Sequence, residues 1–156
     1  MGKIIIKNIS WLWLALILLV SACNQETTRE LTGTTAERIV AVTRLLQDYG
    51  TVPGLIDDAQ LIELQFGDNM LGPADFRSYI WIKVSTDDVR KWKSALSGAL
   101  PSDPPIYDMP PSEPNWWLTK EHFQTLLKYD AFPMFQRHGW IVVDSKGNVY
   151  ARTYTM

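Results

Sequence analysis

Three side chains in this chain of 156 residues carry a thiol or an imidazole, the groups suited to nucleophilic, acid–base or metal-binding chemistry: Cys23, His122 and His138. A hydrolytic or metal site needs several such groups, or carboxylates, converging on one point. His122 follows Glu121 without a second histidine at metal-binding spacing, and His138 precedes Gly139 where a loop meets a predicted strand. We interpret both histidines as polar surface residues, and we predict no metal site and no cofactor.

Aromatic side chains are the other candidates for a functional surface. Exposed aromatic rings stack on sugars or bind protein partners. In this chain, aromatic residues cluster around a proline-rich segment and on the outer face of a predicted strand. Five of them form the predicted binding surface: Tyr79, Trp81, Tyr107, Trp116 and Trp117. The alternative is that Trp116 and Trp117 pin the proline-rich segment onto the core, which would cover Tyr79 and Trp81.

The surroundings of Cys23 are more specific. Residues 9–20 form an apolar run of about a dozen residues, interrupted only by Ser10, and Lys3 and Lys7 precede it. This is the layout of a secretory signal peptide. The run is too short to cross a membrane, because a spanning helix needs about 20 apolar residues.

The five residues Leu19-Val20-Ser21-Ala22-Cys23 resemble the lipobox of bacterial lipoproteins, in which an aliphatic residue and two small residues precede a cysteine. The resemblance implies a diacylglyceryl group on the Cys23 sulfur, cleavage between Ala22 and Cys23, and acylation of the new amino terminus. Asn24, the residue after the cysteine, resembles the default sorting signal. This implies transfer to the outer membrane, with the domain facing the periplasm. In a Gram-positive organism the same motif implies a place outside the plasma membrane.

Charge limits the partners of the mature chain. Cleavage before Cys23 would remove Lys3 and Lys7 and no acidic residue, so the net charge would fall from −2 to −4. An acidic domain argues against a nucleic-acid partner, which favours a basic face. It also argues against electrostatic docking on anionic lipid, so membrane attachment would depend on the acyl chains at Cys23. Stable anchoring needs more than one such chain.

The elements that position these residues follow from hydrophobic periodicity. We predict a signal peptide over 1–22, a lipidated cysteine with a flexible tether over 23–33, and one globular domain over 34–156 with a proline-rich loop at 101–114. Helices are predicted over 35–49 and 85–100, with a short third helix after Thr119. Strands are predicted over 60–66, 76–84, 140–143 and 149–154, the last two joined by a turn at 144–148.

The fold class that this order predicts is α+β. It is a single antiparallel sheet of about four strands, with two longer helices and one short helix packed on one face. Trp92 lies on the apolar stripe of the 85–100 helix and is predicted to be buried.

Two functions from different classes remain open on this pattern. The first is a lipid-anchored envelope protein facing the periplasm, with a non-catalytic binding or scaffolding role toward an envelope protein or glycan. The sequence has no nucleophile elbow and no phosphate-binding loop, and lipid would occupy its only thiol. The alternative is a lipid-anchored hydrolase of envelope glycan or ester that uses carboxylates such as Glu63, Asp75 or Glu113.

Overall fold

The computed structural model describes residues 26–48, 50–67, 74–96 and 105–155. Cys23, the signal peptide and the whole segment 97–104 lie outside these ranges, as does Tyr49. Within the described residues, no helix has the length and apolarity needed to cross a membrane.

A six-stranded sheet dominates the architecture, and every pair of neighbouring strands is antiparallel. The strand order across the sheet is β1-β2-β3-β6-β5-β4. The strands are β1 (Glu26–Glu30), β2 (Asp58–Phe66), β3 (Asp75–Lys83), β4 (Lys128–Asp130), β5 (His138–Val143) and β6 (Asn148–Tyr154). The helices are α1 (Thr35–Gln47), α2 (Val89–Ala95), α3 (Lys120–Thr125) and α4 (Phe132–Phe135), and only the first exceeds two turns.

The prediction of about four strands with two longer helices is wrong, because two further strands extend the sheet and only α1 is long. The strand β1 falls within the segment 23–33, which the sequence assigned to a flexible tether. Its side chains are all exposed, so it contains no apolar alternation that a pattern search could detect. It is held instead by backbone pairing to β2, from Glu26 opposite Phe66 to Glu30 opposite Ile62.

The sheet is buried on both faces, which also corrects the prediction that all helices pack on one face. Ile80 and Ile82 of β3 lie on one face with α1, α2 and α4, and we call this the helical face. Tyr79 of β3 lies on the other face, opposite Ile62 of β2. This second face is covered by α3 and by the chain that leads into it, and we call it the loop face.

The helix α1 begins where the sequence predicts. The Thr34 hydroxyl accepts the backbone N–H of Glu37 at 3.4 Å, and the Glu37 carboxylate accepts the backbone N–H of Thr34 at 2.8 Å. This reciprocal capping confirms the predicted capping box. Arg38 then ties the helix to the start of β2, because its guanidinium donates to the Asp58 carboxylate at 2.7 Å and to the Ala59 carbonyl at 2.9 Å.

The helix α2 is shorter than the predicted span of 85–100. Residues 86–88 form a turn, and the helix begins at Val89. The Asp88 carboxylate does not cap the helix; it accepts the backbone N–H of Leu55 at 3.2 Å and the ammonium of Lys91, one turn into α2, at 2.6 Å. The predicted end of this helix, at 97–100, lies outside the described residues.

The carboxy-terminal hairpin is confirmed. Asp144 organises its turn, because one carboxylate oxygen accepts the backbone N–H groups of Lys146 at 2.8 Å and Asn148 at 2.9 Å. Gly147 has a φ of +84°, and a Cβ there would lie 2.2 Å from the Val84 carbonyl oxygen. The turn therefore requires glycine at this position.

Trp92 is fully buried on the helical face, as its position on the helix stripe predicts. Trp92→Ala in the mature chain should lower the free energy of unfolding by about 3–5 kcal/mol, because a buried indole leaves a large cavity. Trp92→Phe should cost less, since the indole N–H has no hydrogen-bond partner among the described residues. Urea denaturation measures both. Val40→Ala, whose side chain is exposed, is the control, and an equally small effect of Trp92→Ala would contradict this assignment.

Candidate functional site

Residues 105–118 form an irregular segment that aromatic side chains hold by hydrogen bonds, and we call it the pinned loop. It lies on the loop face, and side-chain donors hold its backbone carbonyls. The Trp140 indole N–H donates to the Ile106 carbonyl at 3.1 Å, and the Trp117 indole N–H donates to the Asp108 carbonyl at 3.1 Å. The Tyr107 hydroxyl donates to the Leu118 carbonyl at 2.9 Å. Aromatic side chains thus replace the backbone partners that an irregular segment lacks.

The Asp108 side chain connects the pinned loop to the two central strands. One carboxylate oxygen accepts the Tyr79 hydroxyl at 3.0 Å and the Arg152 Nε at 3.0 Å, and it lies 3.9 Å from the Arg77 guanidinium. Burial raises the pKa of Tyr79, and the nearby negative charge of Asp108 raises it further. Tyr79 therefore stays protonated at neutral pH and acts as a hydrogen-bond donor to Asp108.

Trp117 is the centre of the aromatic packing beneath the pinned loop. Its ring centroid lies 5.5 Å from that of Tyr79 and 5.7 Å from those of Trp116 and Tyr150, each at a nearly perpendicular angle. It also contacts Trp140 at 5.8 Å. Edge-to-face pairs of this kind add about 0.5–1.5 kcal/mol each beyond area burial. Burial also raises the pKa of Tyr150 to about 12.

The five aromatic residues predicted to form a binding surface come together on the loop face, but they differ in exposure. Tyr79 is 1% exposed and Trp117 is 7% exposed, so neither presents a surface to a partner. Trp81, Tyr107 and Trp116 are half-buried at the margins of the same cluster. The Trp81 indole N–H donates to the Asn148 side-chain oxygen at 3.2 Å, which fixes the orientation of that ring. The burial of Tyr79 and Trp117 agrees with the alternative in which these rings pack against the core and do not bind a partner.

Sequence reasoning missed the side chains that project outward from the pinned loop. Ile106 is 84% exposed and Met109 is 42% exposed. Each lies close in sequence to a residue that holds the loop, since the Ile106 carbonyl is bound by Trp140 and Asp108 precedes Met109. The signal available in the sequence was two aliphatic residues within a proline-rich, otherwise polar stretch.

The three carboxylates proposed for a hydrolase do not all lie on one face of the sheet. Glu63 lies on the helical face, where its carboxylate accepts the Ser78 hydroxyl at 3.1 Å and the Arg137 guanidinium at 3.3 Å. Asp75 is exposed at the first residue of β3, and Glu113 is exposed on the pinned loop. Glu63 is therefore separated by the sheet from Glu113, and these two residues do not form the opposed pair of carboxyl groups that glycoside hydrolysis uses.

The two histidines lie on different elements. His122 is half-buried on α3, and His138 is exposed at the first residue of β5, where its ring lies 5.7 Å from Phe132 and 5.7 Å from Tyr154. Among the residues that the structure describes, no three histidine, cysteine or acidic side chains are grouped so that they could hold a metal ion.

The chain matches no protein-family model, and no matching curated protein or solved structure was found. Its function must therefore be argued from its own motifs and geometry.

The two neighbouring tryptophans should respond differently to truncation. Trp117→Ala should lower the free energy of unfolding by about 3–5 kcal/mol, because the residue is buried and makes four ring contacts. Trp116→Ala should cost about 1–2 kcal/mol, because that ring is half-buried.

A third variant separates the ring from its hydrogen bond. Trp117→Phe keeps an aromatic ring but leaves the Asp108 carbonyl without its donor, so we expect an intermediate cost of about 1–3 kcal/mol. Urea denaturation of the three variants gives the order. Equal losses for Trp116→Ala and Trp117→Ala would refute the central role of Trp117 in holding the pinned loop.

Proposed function

We propose that this protein is a lipid-anchored envelope protein, held by acyl chains on Cys23 at the periplasmic face of the outer membrane, with a non-catalytic binding or scaffolding role. The observation that carries the proposal is the run Leu19-Val20-Ser21-Ala22-Cys23 at the end of a signal-peptide pattern. The pinned loop is the surface proposed to bind the partner.

The position of the first strand agrees with an anchor at Cys23. The first strand that the structure describes begins at Glu26, three positions after the cysteine. A lipid attached to Cys23 would therefore hold the domain close to the bilayer. With its only thiol acylated, the mature domain would depend on its two apolar clusters for stability, because no disulfide could form.

Pre-organisation supports a binding role for the pinned loop. Its carbonyls and the Asp108 carboxylate are already held by Trp117, Trp140, Tyr79 and Arg152. A partner would therefore not have to order the segment, and ordering is a large part of the free-energy cost of binding. An exposed side chain on a rigid backbone is well placed to enter a pocket on a partner.

The chemistry of the exposed side chains favours a protein partner over a glycan. Ile106 and Met109 are aliphatic, and Met is adaptable at protein interfaces. Sugar rings instead require the exposed flat face of an aromatic ring. In this region the rings of Trp117 and Tyr79 are covered, and those of Trp81, Tyr107 and Trp116 are half-buried at the margins of the cluster.

The anchoring part of the proposal is tested at Cys23. Cys23→Ser should leave the precursor uncleaved and without incorporated fatty acid, because the thiol is the acylated group. Metabolic labelling with a fatty-acid probe and mass spectrometry of the amino terminus measure both effects. Ser10→Ala, outside the five-residue motif, should be processed normally. Normal cleavage and labelling of Cys23→Ser would refute the anchor.

The binding part of the proposal is tested on the pinned loop. In crosslinked envelopes, the double variant Ile106→Ser/Met109→Ser should reduce recovery of a stoichiometric protein partner at least tenfold. Its free energy of unfolding should change by less than about 1 kcal/mol, because both side chains are exposed.

Val40→Ser is the matched control, since Val40 is 57% exposed on α1 and lies on the helical side of the sheet. Capture should be unchanged in this variant. Undiminished capture by the double variant would remove the pinned loop from the proposed function.

A further inference from the structure

The two edge strands of the sheet differ in the side chains that border them. The strand β1 contains three charged residues and no apolar one. The strand β4 contains one basic and one acidic residue, and exposed apolar side chains lie beside both of its ends. Leu127 precedes the strand and is 60% exposed, whereas Phe132 follows it and is 47% exposed. We call residues 127–132 the β4 edge.

Hydrogen bonding within the sheet shows which backbone groups of β4 point outward. In an antiparallel ladder, alternate residues exchange hydrogen bonds with the neighbouring strand. Ala131 donates its backbone N–H to the Gly139 carbonyl at 3.2 Å, so Tyr129, two positions earlier, also bonds toward β5. The N–H and C=O groups of Lys128 and Asp130 therefore point away from the sheet. Among the described residues, no further hydrogen bond to these four backbone groups is formed.

The side chains of the same two residues lie together on the loop face. The Lys128 ammonium lies 4.7 Å from the centroid of the Phe123 ring and donates to the Gln124 carbonyl at 3.1 Å. One oxygen of the Asp130 carboxylate accepts the backbone N–H of Phe132 at 3.0 Å. The ammonium has further protons to donate and the carboxylate has a second oxygen, so both groups can bind across the edge.

The charges of β4 are complementary to those of a second copy of the strand. In an antiparallel pair with Tyr129 opposite Tyr129 of the second copy, Lys128 lies opposite Asp130 in both directions. These are also the residues whose backbone groups point outward, so this register forms four backbone hydrogen bonds. Opposite charges directly across an antiparallel pair stabilise it. The backbone and the side chains therefore favour the same register.

The same operation on β1 is unfavourable. Leu31 donates its backbone N–H to the Leu61 carbonyl at 2.8 Å, so the alternate residues Glu26, Thr28 and Glu30 turn their backbone groups outward. The longest symmetric pairing of this strand, centred on Thr28, places Glu26 opposite Glu30 of the second copy. Like charges directly opposite each other are destabilising. Of the two edges, β4 is thus the one suited to a second copy.

Apolar side chains extend the contact beyond the three residues of the strand. Continuing the register places Leu127 opposite Ala131 of the second copy and Leu126 opposite Phe132. Leu126 has an extended backbone, with φ −92° and ψ 150°, so the chain before β4 can continue the pairing. Both exposed apolar side chains of the β4 edge would then be covered, and the removal of apolar surface from water favours association.

We infer that the β4 edge binds a second copy of this chain, so that two six-stranded sheets join into one twelve-stranded antiparallel sheet. The two-fold axis passes between the two Tyr129 residues, perpendicular to the sheet, so both pinned loops lie on the same side of the assembly. The β1 edges remain on the outside, and the assembly closes at two copies. This inference depends neither on acylation of Cys23 nor on the partner of the pinned loop.

The first experiment measures self-association of the full chain in the envelope. Two copies with different epitope tags are co-expressed in a bacterial host, and the envelopes are solubilised in mild detergent. One tag is captured and the other is quantified. Wild-type copies should co-purify. Lys128→Glu in both copies, or Asp130→Lys in both copies, should reduce co-purification at least tenfold, because each change places like charges opposite each other twice.

The two variants combined with each other give the decisive comparison. A Lys128→Glu copy beside an Asp130→Lys copy again has opposite charges at both pairs, so co-purification should return to within twofold of wild type. This recovery also excludes misfolding as the cause of the single losses. Glu30→Lys in both copies is the matched control on β1 and should have no effect. Wild-type copies that do not co-purify, or a mixed pair as weak as either variant alone, would overturn the inference.

A second experiment tests the register by disulfide formation. Hydrogen-bonded antiparallel pairs have Cα atoms about 5.5 Å apart, which is within the range that a disulfide spans. A Lys128→Cys copy co-expressed with an Asp130→Cys copy should therefore form a covalent pair that carries both tags when the envelopes are oxidised. Two Lys128→Cys copies should give at most a fifth of that yield, because each position 128 lies diagonal to its counterpart.

Two controls set the scale of this crosslinking. Wild-type copies, whose only cysteine is Cys23, give the background. Thr28→Cys combined with Glu30→Cys is the matched pair on β1 and should not exceed that background. Stronger crosslinking between two Lys128→Cys copies than in the mixed pair would indicate parallel strands and overturn the two-fold arrangement. A mixed yield no higher than that of the β1 pair would overturn the interface itself.

Discussion

The structure depends on covering both faces of the central strands. β3 and β6 carry apolar side chains alternately to the two sides, with Ile80 and Ala151 on the helical face and Tyr79 and Tyr150 on the loop face. Helices cover the first face, and they satisfy their own backbone hydrogen bonds. The second face is covered largely by irregular chain, which must find partners for its backbone groups elsewhere.

Aromatic side chains meet that requirement. The same residues that fill the loop face, Trp117 and Trp140, donate their indole N–H groups to carbonyls of the pinned loop. Tyr79 reaches the Asp108 carboxylate in the same way. Because apolar burial and hydrogen bonding depend on the same side chains, the loop is rigid only while the aromatic cluster is intact. The same aromatic side chains thus stabilise both the pinned loop, which is the candidate binding surface, and the hydrophobic cluster on the loop face.

The proposed lipid attachment and the proposed binding surface lie on different parts of the domain. The proposed lipid attachment precedes β1 at one end of an edge strand, whereas the pinned loop lies over the face formed by β2, β3, β6 and β5. An edge strand with exposed Glu26, Arg29 and Glu30 is protected by charge against pairing with other sheets. A domain held at that corner can therefore present one face while its free edge stays unpaired.

The sequence by itself determined the elements that follow from local physics. The capping box at Thr34, the short helix after Thr119, the hairpin turn at Asp144 and the burial of Trp92 all come from residues within a few positions of each other, or from one stripe. The lipobox resemblance at Cys23 is likewise local and gives the proposed location without any fold.

Only the tertiary structure decided the sheet and the site. β1 has no apolar residue, so its pairing with β2 has no periodic signal. Alternation in β2 and β3 shows two faces for each strand, but the register that places Ile62 opposite Tyr79 is a long-range relation. The same holds for Asp108, whose role depends on Tyr79 and Arg152 approaching it from two strands distant in sequence. Local composition shows which residues are apolar, whereas the side of the sheet on which each is buried depends on pairing between distant segments.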